Sequence, residues 1–430
     1  ERRRDALLGR EQANRELGDH DAQAIDLAQL EALAAGDRRL EADVANRRAV
    51  RLLRIGDYAG AVAAAEAAAA AARTAGDELS RGEALRVLGE IYERTGQFER
   101  GLEVVEEAVE ILTRAGAAHA EMKARIGIGR NHLTRSRYEK AWETYEPILE
   151  RLDESADPWL ERVVRNHVAV IHLCLGEFEA AMWSARRSME LCEFYGDRAR
   201  AGDNLSVCGI ILTEVGQFRE ARECFRDALA IHDQTQSRWS RADCQVYAGA
   251  NEAWLGEFDA GVALLEESRA SARELGARYV EANGEVAMAG LLLRRGADGD
   301  EEAAVAAADR ALECARAATL VGAEIIALAR RAEALRRLGK AEEALASSTR
   351  AVELLEQQKY LEGSEEEVLF VHHRVLAGVG NPEAAEFLAE ARRGVQRKLE
   401  MLANPDWRSS YIDAIPLHQL IVTAEPAPAS

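Results

Sequence analysis

The sequence predicts an all-α solenoid of about ten antiparallel helix pairs, and three observations predict it. Turn-forming triplets recur along the 430 residues with a spacing of 40. Small residues recur in phase with those turns. The composition is rich in Ala, Leu, Glu and Arg, with only 7 Pro and 5% aromatic residues, and those four are the strongest helix formers.

The stretch Ala84 to Gly116, ALRVLGEIYERTGQFERGLEVVEEAVEILTRAG, is the best-formed unit: two amphipathic helices joined at Gly96-Gln97-Phe98. Equivalent triplets are Gly56-Asp57-Tyr58, Ser136-Arg137-Tyr138, Gly176-Glu177-Phe178, Gly216-Gln217-Phe218 and Gly256-Glu257-Phe258. Gly18 precedes this series. Gly296, Gly339 and Gly380 continue it after a short insertion near Ala297 to Asp300. A second series of breaks, Gly36, Gly76, Gly116, Ala156, Gly196, Gln236 and Gly276, separates one pair from the next. Each half-period holds one helix and a short connection. Such a unit has no core of its own and buries its apolar face on its neighbours.

Small residues predict where paired helices cross. Gly89, Gly129, Ala169, Gly209 and Gly249 precede their turns, and Ala61, Gly101, Ala141, Ala181, Ala221 and Gly261 follow them. The aromatic residue after each turn is placed to cover the crossing. The Ala-rich run 64–72 occupies the second helix of one unit. After Asn404-Pro405, Trp407, Tyr411, Ile412, Ile415 and Leu420 fall at helical spacing and predict a cap for the apolar face of the last unit. The expected division is a capping pair over 1–37, the repeats over 38–403, a cap over 404–422 and a disordered tail over 423–430.

On these residues the chain resembles the tetratricopeptide repeat family. The pattern of small residue, aromatic, Gly, aromatic and small residue is carried by Gly89, Tyr92, Gly96, Phe98, Gly101 and Ala108. It recurs in Gly209, Gly216, Phe218, Ala221, Phe225 and Ala228. The resemblance implies a right-handed superhelix and a non-enzymatic scaffold that binds a peptide or helix in its groove. The period departs from the family's usual 34 residues. The longer form resembles repeats of Pins-type G-protein regulators, of bacterial peptide-pheromone receptors and of bacterial signalling ATPases. HEAT and armadillo repeats have a similar period without the in-phase pattern. The Arg-rich opening and the ending RSSYIDAIP resemble the C-terminal arm of large bacterial signalling proteins, in which a kinase, cyclase or STAND-type ATPase precedes the repeats. The chain opens at Glu1 without a Met and is expected to be a piece of such a protein.

A formal net charge of −20 argues against nucleic acid phosphates and anionic membrane surfaces as partners. The six Cys lack CxxC spacing, which predicts neither disulfides nor a zinc site and fits a cytoplasmic protein. No apolar run reaches membrane-spanning length. Leu338-Gly339-Lys340-Ala341 lacks the rest of a phosphate loop, Gly127-Ile128-Gly129 lies within a helix, and no hydrolase or metalloprotease motif occurs. No catalytic residue, cofactor or metal is expected, and the neighbours His372 and His373 read as ordinary helix residues.

In the family, the first helices line the concave face. The resemblance places Asn46, Arg47, Arg54, Arg86, Arg94 and Arg130 there in the early units. The middle units contribute Asn166, His167, Val170, Cys174, Val207, Ile210, Thr213, Glu214, Tyr247 and Trp254, and the later ones Asn283, Arg294, Arg330, Arg336 and Arg337. An apolar centre between Arg-rich ends suits an acidic, partly apolar peptide, or a linked signalling module of the same protein. In the competing arrangement these Arg pair with Glu90, Glu93 and Glu333. A sensor of a small ligand or peptide is the alternative function.

Overall fold

Asp and Gly set the ends of the helices. In the computed structural model, which describes residues 2–155, 157–358, 361 and 363–424, Asp37, Asp57, Asp77, Asp157 and Asp197 each accept backbone N–H bonds as N-caps. The turn residue before Asp37, Asp57, Asp77 and Asp197 is a left-handed Gly. Ser136 and Gln236 hold that conformation without being Gly, at φ 58° and 50°. The position in the repeat therefore dictates the backbone, and Gly is its usual occupant. Ala156 and residues 425–430 of the expected tail lie outside the described residues, and Thr423 closes the last helix.

The described residues form helices α1 (Arg2–Leu17), α2 (His20–Ala34), α3 (Arg38–Ile55), α4 (Tyr58–Ala75), α5 (Glu78–Arg94), α6 (Phe98–Arg114), α7 (Ala118–Thr134) and α8 (Tyr138–Ser155). They continue as α9 (Pro158–Cys174), α10 (Phe178–Tyr195), α11 (Arg198–Glu214), α12 (Phe218–Gln234), α13 (Arg238–Trp254), α14 (Phe258–Leu275), α15 (Arg278–Arg295) and α16 (Asp300–Ala317). The chain finishes with α17 (Val321–Arg337), α18 (Ala341–Glu356), α19 (Glu365–Gly378), α20 (Ala384–Met401), α21 (Pro405–Asp413) and α22 (Pro416–Thr423). This is an all-α array of antiparallel pairs.

Within a pair the helices cross at the small residues. A Cβ on Gly89 would lie 2.1 Å from a Val105 methyl and 3.0 Å from the Gly101 carbonyl oxygen. Gly129 and Gly209 meet the rings of Tyr145 and Phe225 in the same way. Phe98 and Phe178 are buried beside their crossings.

The odd-numbered helices from α3 to α19 touch one another in succession, whereas the even-numbered ones from α4 to α18 pack chiefly on odd-numbered neighbours. The crowded helices lie on the inside of the bend, so the odd-numbered set lines the concave face.

The bend closes fully. Thr235, between the sixth and seventh pairs, receives a hydrogen bond from His20 Nε2 at the start of the chain (3.1 Å). Arg94 stacks on Trp239 at 3.9 Å, and Arg135 bonds Thr319 (3.3 Å). Ser410 bonds both Val215 and Gln217. Glu179 accepts the backbone N–H groups of Ala403 and Asn404. These contacts join residues 145 to 225 apart in sequence, so successive superhelical turns stack along a seam and enclose a lumen.

The C-terminal segment differs from the expected single cap. Pro416 divides it into α21 and α22. α22 packs on α20, whereas α21 carries the buried Tyr411 back to Phe178 of the fifth pair, with ring centres 6.0 Å apart. Leu420 is 52% exposed and faces solvent. The seam needs an apolar partner as much as the last unit does.

Candidate functional site

The lumen is the concave surface that the odd-numbered helices share, and its first turn is lined by charge. Glu90 on α5 sits among three guanidiniums: Arg130 at 3.7 Å, Arg86 at 3.8 Å and Arg94 at 3.9 Å. Burial alone would raise its pKa, but these arginines hold it well below the usual carboxylate range. Arg130 also forms a forked pair with Glu93 (2.9 and 3.1 Å). Lys123 and Arg86 share Glu83, and Arg162 and Arg200 share Asp197. The arginines of the early units are therefore largely paired, Arg86 and Arg94 with glutamates of their own helix and Arg130 with those of the inner helix before it.

Behind this charged layer the walls are neutral. Asn166 and His167 are each 8% exposed and belong to the wall rather than its surface. Asn166 bonds Asn204 (2.9 Å) and His167 bonds the Tyr145 hydroxyl (2.9 Å). Burial, then Arg130 and Arg200, holds the His167 pKa well below its ordinary value, so the ring is neutral. Val207 is buried as well, with Val170, Ile210 and Cys174 half-buried beside it.

Aromatic residues line the next stretch. Trp254 stacks on Phe218, with ring centres 5.3 Å apart and planes 3° from parallel, and Arg294 covers it at 3.1 Å. Arg294 has no carboxylate within ion-pair distance among the described residues, and burial lowers its pKa. The Tyr247 hydroxyl lies 3.3 Å from that of Tyr279, which stacks on Trp239. Further on, Arg330 pairs with Glu367 and bonds the Val286 carbonyl. Arg337, with Arg336, pairs with Glu333 and reaches the Leu293 carbonyl. Glu214 has no ion pair among the described residues, and burial raises its pKa.

Neither a protein-family model nor a curated protein sequence matches this chain. Solved structures do. A Rap protein complexed with Competence and Sporulation Factor is similar over 80% of this chain and 98% of its own, with a TM-score of 0.57 and 12% identity. A signal transduction ATPase from Pyrococcus horikoshii with a tetratricopeptide repeat sensor aligns over 86% of this chain and 55% of its own, with a TM-score of 0.49 and 14% identity. The apo form of RapI aligns over 63% of this chain and 99% of its own, with a TM-score of 0.47 and 11% identity.

The fold is that of the tetratricopeptide-repeat proteins.

Against the tetratricopeptide pattern, the lumen holds residues that the sequence positions missed. Trp239, Tyr279 and Arg200 lie before the first position of the usual repeat, in an extra helical turn that the 40-residue unit adds. A ring or guanidinium in phase with the concave face in that added turn was the available signal. Burial pushes the Cys192, Cys208 and Cys244 thiols up to about 12, so these three stay protonated. His372 and His373 bond Ser348 and the Ala384 carbonyl inside the core. No described helix is long and apolar enough to cross a membrane.

Proposed function

We propose that this tetratricopeptide array is a non-enzymatic interaction domain that receives a peptide or helix of a partner protein, or of a linked signalling module, in its lumen. The supporting observation is Trp254: a flat aromatic face fixed on Phe218 and crossed by Arg294, a cation with no ion-pairing carboxylate among the described residues. A rigid aromatic anchor beside an uncompensated guanidinium is the composition of an interaction hot spot. The protein works in the cytoplasm on this reading. The seam also supports the sensor alternative, because a ligand that widened the lumen would have to part the contacts between turns.

The test is capture of a partner from host lysate by the intact chain and by a Trp254→Ala, Tyr247→Ala variant of unchanged melting temperature. A partner held by the first and lost by the second supports the proposal. One held equally by both removes the lumen from the interaction.

A further inference from the structure

One charge constellation occurs twice in the chain, in the same repeat register. Arg54 and Arg94 stand two residues before the turns at Gly56 and Gly96, as Arg294 and Arg337 do before Gly296 and Gly339. Glu90 and Arg130 stand six before Gly96 and Ser136, as Glu333 and Arg374 do before Gly339 and Gly380. One position differs: Glu93, three before Gly96, is replaced by Arg336, three before Gly339. The first copy is nearly balanced and closed. Arg130 forks on Glu93, and Arg94 lies against Trp239 of the next superhelical turn. The second copy is neither. Oε1 of Glu333 accepts from Arg336 at 3.0 Å and Arg337 at 2.8 Å, and Arg374 lies 3.1 Å from it. Among the described residues these three have no other ion pair. Arg337 also donates to the Leu293 carbonyl, which sets it at the end of α15 beside Arg294. Four guanidiniums thus share one carboxylate, an excess of three positive charges. Burial, with Arg336 and Arg337 beside it, holds the Arg374 pKa below its ordinary value despite Glu333. At its counterpart Arg130, Glu93 and Glu90 outweigh burial and the pKa rises. The edge that carries the second copy is open. A Cβ on Gly96 would meet Arg278 of the next turn at 3.0 Å, whereas one on Gly296, Gly339 or Gly380 would meet nothing within 4 Å.

We infer that the second copy is a binding site for an oligophosphate, whose oxygens accept from Arg336, Arg337 and Arg374 and supply the negative charge that Glu93 provides in the first copy. The convergence of charge decides the ligand. Three guanidiniums within about 3 Å of one oxygen lie within about 6 Å of one another. Along an extended peptide, side chains of one face stand about 7 Å apart, so a peptide would bring a single carboxylate into that space. One carboxylate leaves most of the excess in place. A phosphoryl group brings about two negative charges and three acceptor oxygens, and two linked phosphoryl groups bring about three charges. Guanidinium forks match those oxygens in pairs. The chemistry is common to a free inorganic oligophosphate and to the phosphate chain of a nucleotide.

The experiment is calorimetry on the full chain with inorganic tripolyphosphate, a nucleoside triphosphate and orthophosphate, at several salt concentrations. Tripolyphosphate should bind at least about tenfold more tightly than orthophosphate and weaken as salt rises. Arg336→Glu restores the acid of the first copy. It should lose about tenfold or more in affinity while melting at the same temperature or higher, because it relieves like-charge repulsion. Arg374→Gln removes one guanidinium without adding an acid and should lose about threefold or more. A nucleoside triphosphate that binds more tightly than tripolyphosphate makes the ligand a nucleotide. Equal or weaker binding makes it the free oligophosphate, and either result supports the site. No binding of either, or undiminished binding in both variants, overturns the inference. A phosphoserine peptide that binds where no oligophosphate does also overturns it, in favour of a phosphorylated protein. The site goes beyond the interaction reading and does not need it. If no oligophosphate binds while a captured partner is still lost with Trp254→Ala, Tyr247→Ala, the interaction function stands and the oligophosphate site falls alone.

Discussion

Gly216 and Gly256 are one repeat apart, hold the same φ of 81° and differ in what lies over them. A Cβ on Gly256 would meet nothing within 4 Å. A Cβ on Gly216 would lie 2.6 Å from the backbone oxygen of Ser410 and 3.0 Å from its carbonyl carbon, across the seam in α21. Either Ala substitution carries the cost of a left-handed alanine, about 1–2 kcal/mol. Only Gly216→Ala also forces a backbone carbonyl to retreat, and overpacking of that kind typically costs about 1–3 kcal/mol more. A backbone oxygen cannot swing aside as the end of a side chain can, so α21 must shift as a body and weaken the Ser410 and Tyr411 contacts. Hydrogen exchange reads this directly. The amides of α21 should exchange about fivefold to a hundredfold faster in Gly216→Ala than in Gly256→Ala, corresponding to that extra energy. Equal protection of α21 in the two variants would refute the seam as a stabilising contact.

Two further outcomes follow from the packing and the buried charges. Gly89→Ala should destabilise by about 1–3 kcal/mol, because its Cβ meets Val105 at 2.1 Å. Combining it with Val105→Ala should cost less than the sum of the single changes by about 0.5 kcal/mol or more, and strict additivity in urea unfolding would show that this contact does not limit the crossing. Burial, helped by Arg137, Lys140 and Arg135, pulls His132 down to about 4 from its ordinary 6.5. Between those values the unfolded chain holds a proton that the folded chain does not. The stability this group contributes is thus present above about 6.5 and lost as pH falls towards 4. His132→Gln should flatten the fall of the urea midpoint across that window, and an unchanged slope would exclude the residue as a source of acid sensitivity.

The pairing of helices was legible in the chain because the repeat is local. A left-handed turn residue, an aromatic two positions on and a small residue at the crossing all lie within one unit, so Gly96, Phe98, Gly89 and Gly101 carry their meaning in sequence spacing alone. Ser136 and Gln236 show the strength of that register, since they adopt the turn conformation without being Gly. The lumenal charges were half legible. Position in the repeat brought Arg86, Arg94 and Arg130 to the concave face, but it could not show that all three converge on Glu90 while Arg54 and Arg294 find no ion-pairing carboxylate among the described residues. Those distances depend on how far each helix pair rotates on the next.

The sequence by itself determined an all-α array of antiparallel pairs, its register, and the set of helices that face inward. Tertiary structure alone decided that the superhelix closes on itself. The pitch is a small rotation per unit summed over many units, and no single repeat encodes it. Closure turns Gly216 into a contact residue while Gly256 remains only a turn, and it carries Tyr411 away from the last unit to Phe178. It also makes the groove a lumen, where Trp254 and the network around Glu90 lie on the enclosed concave side and keep only part of their surface exposed.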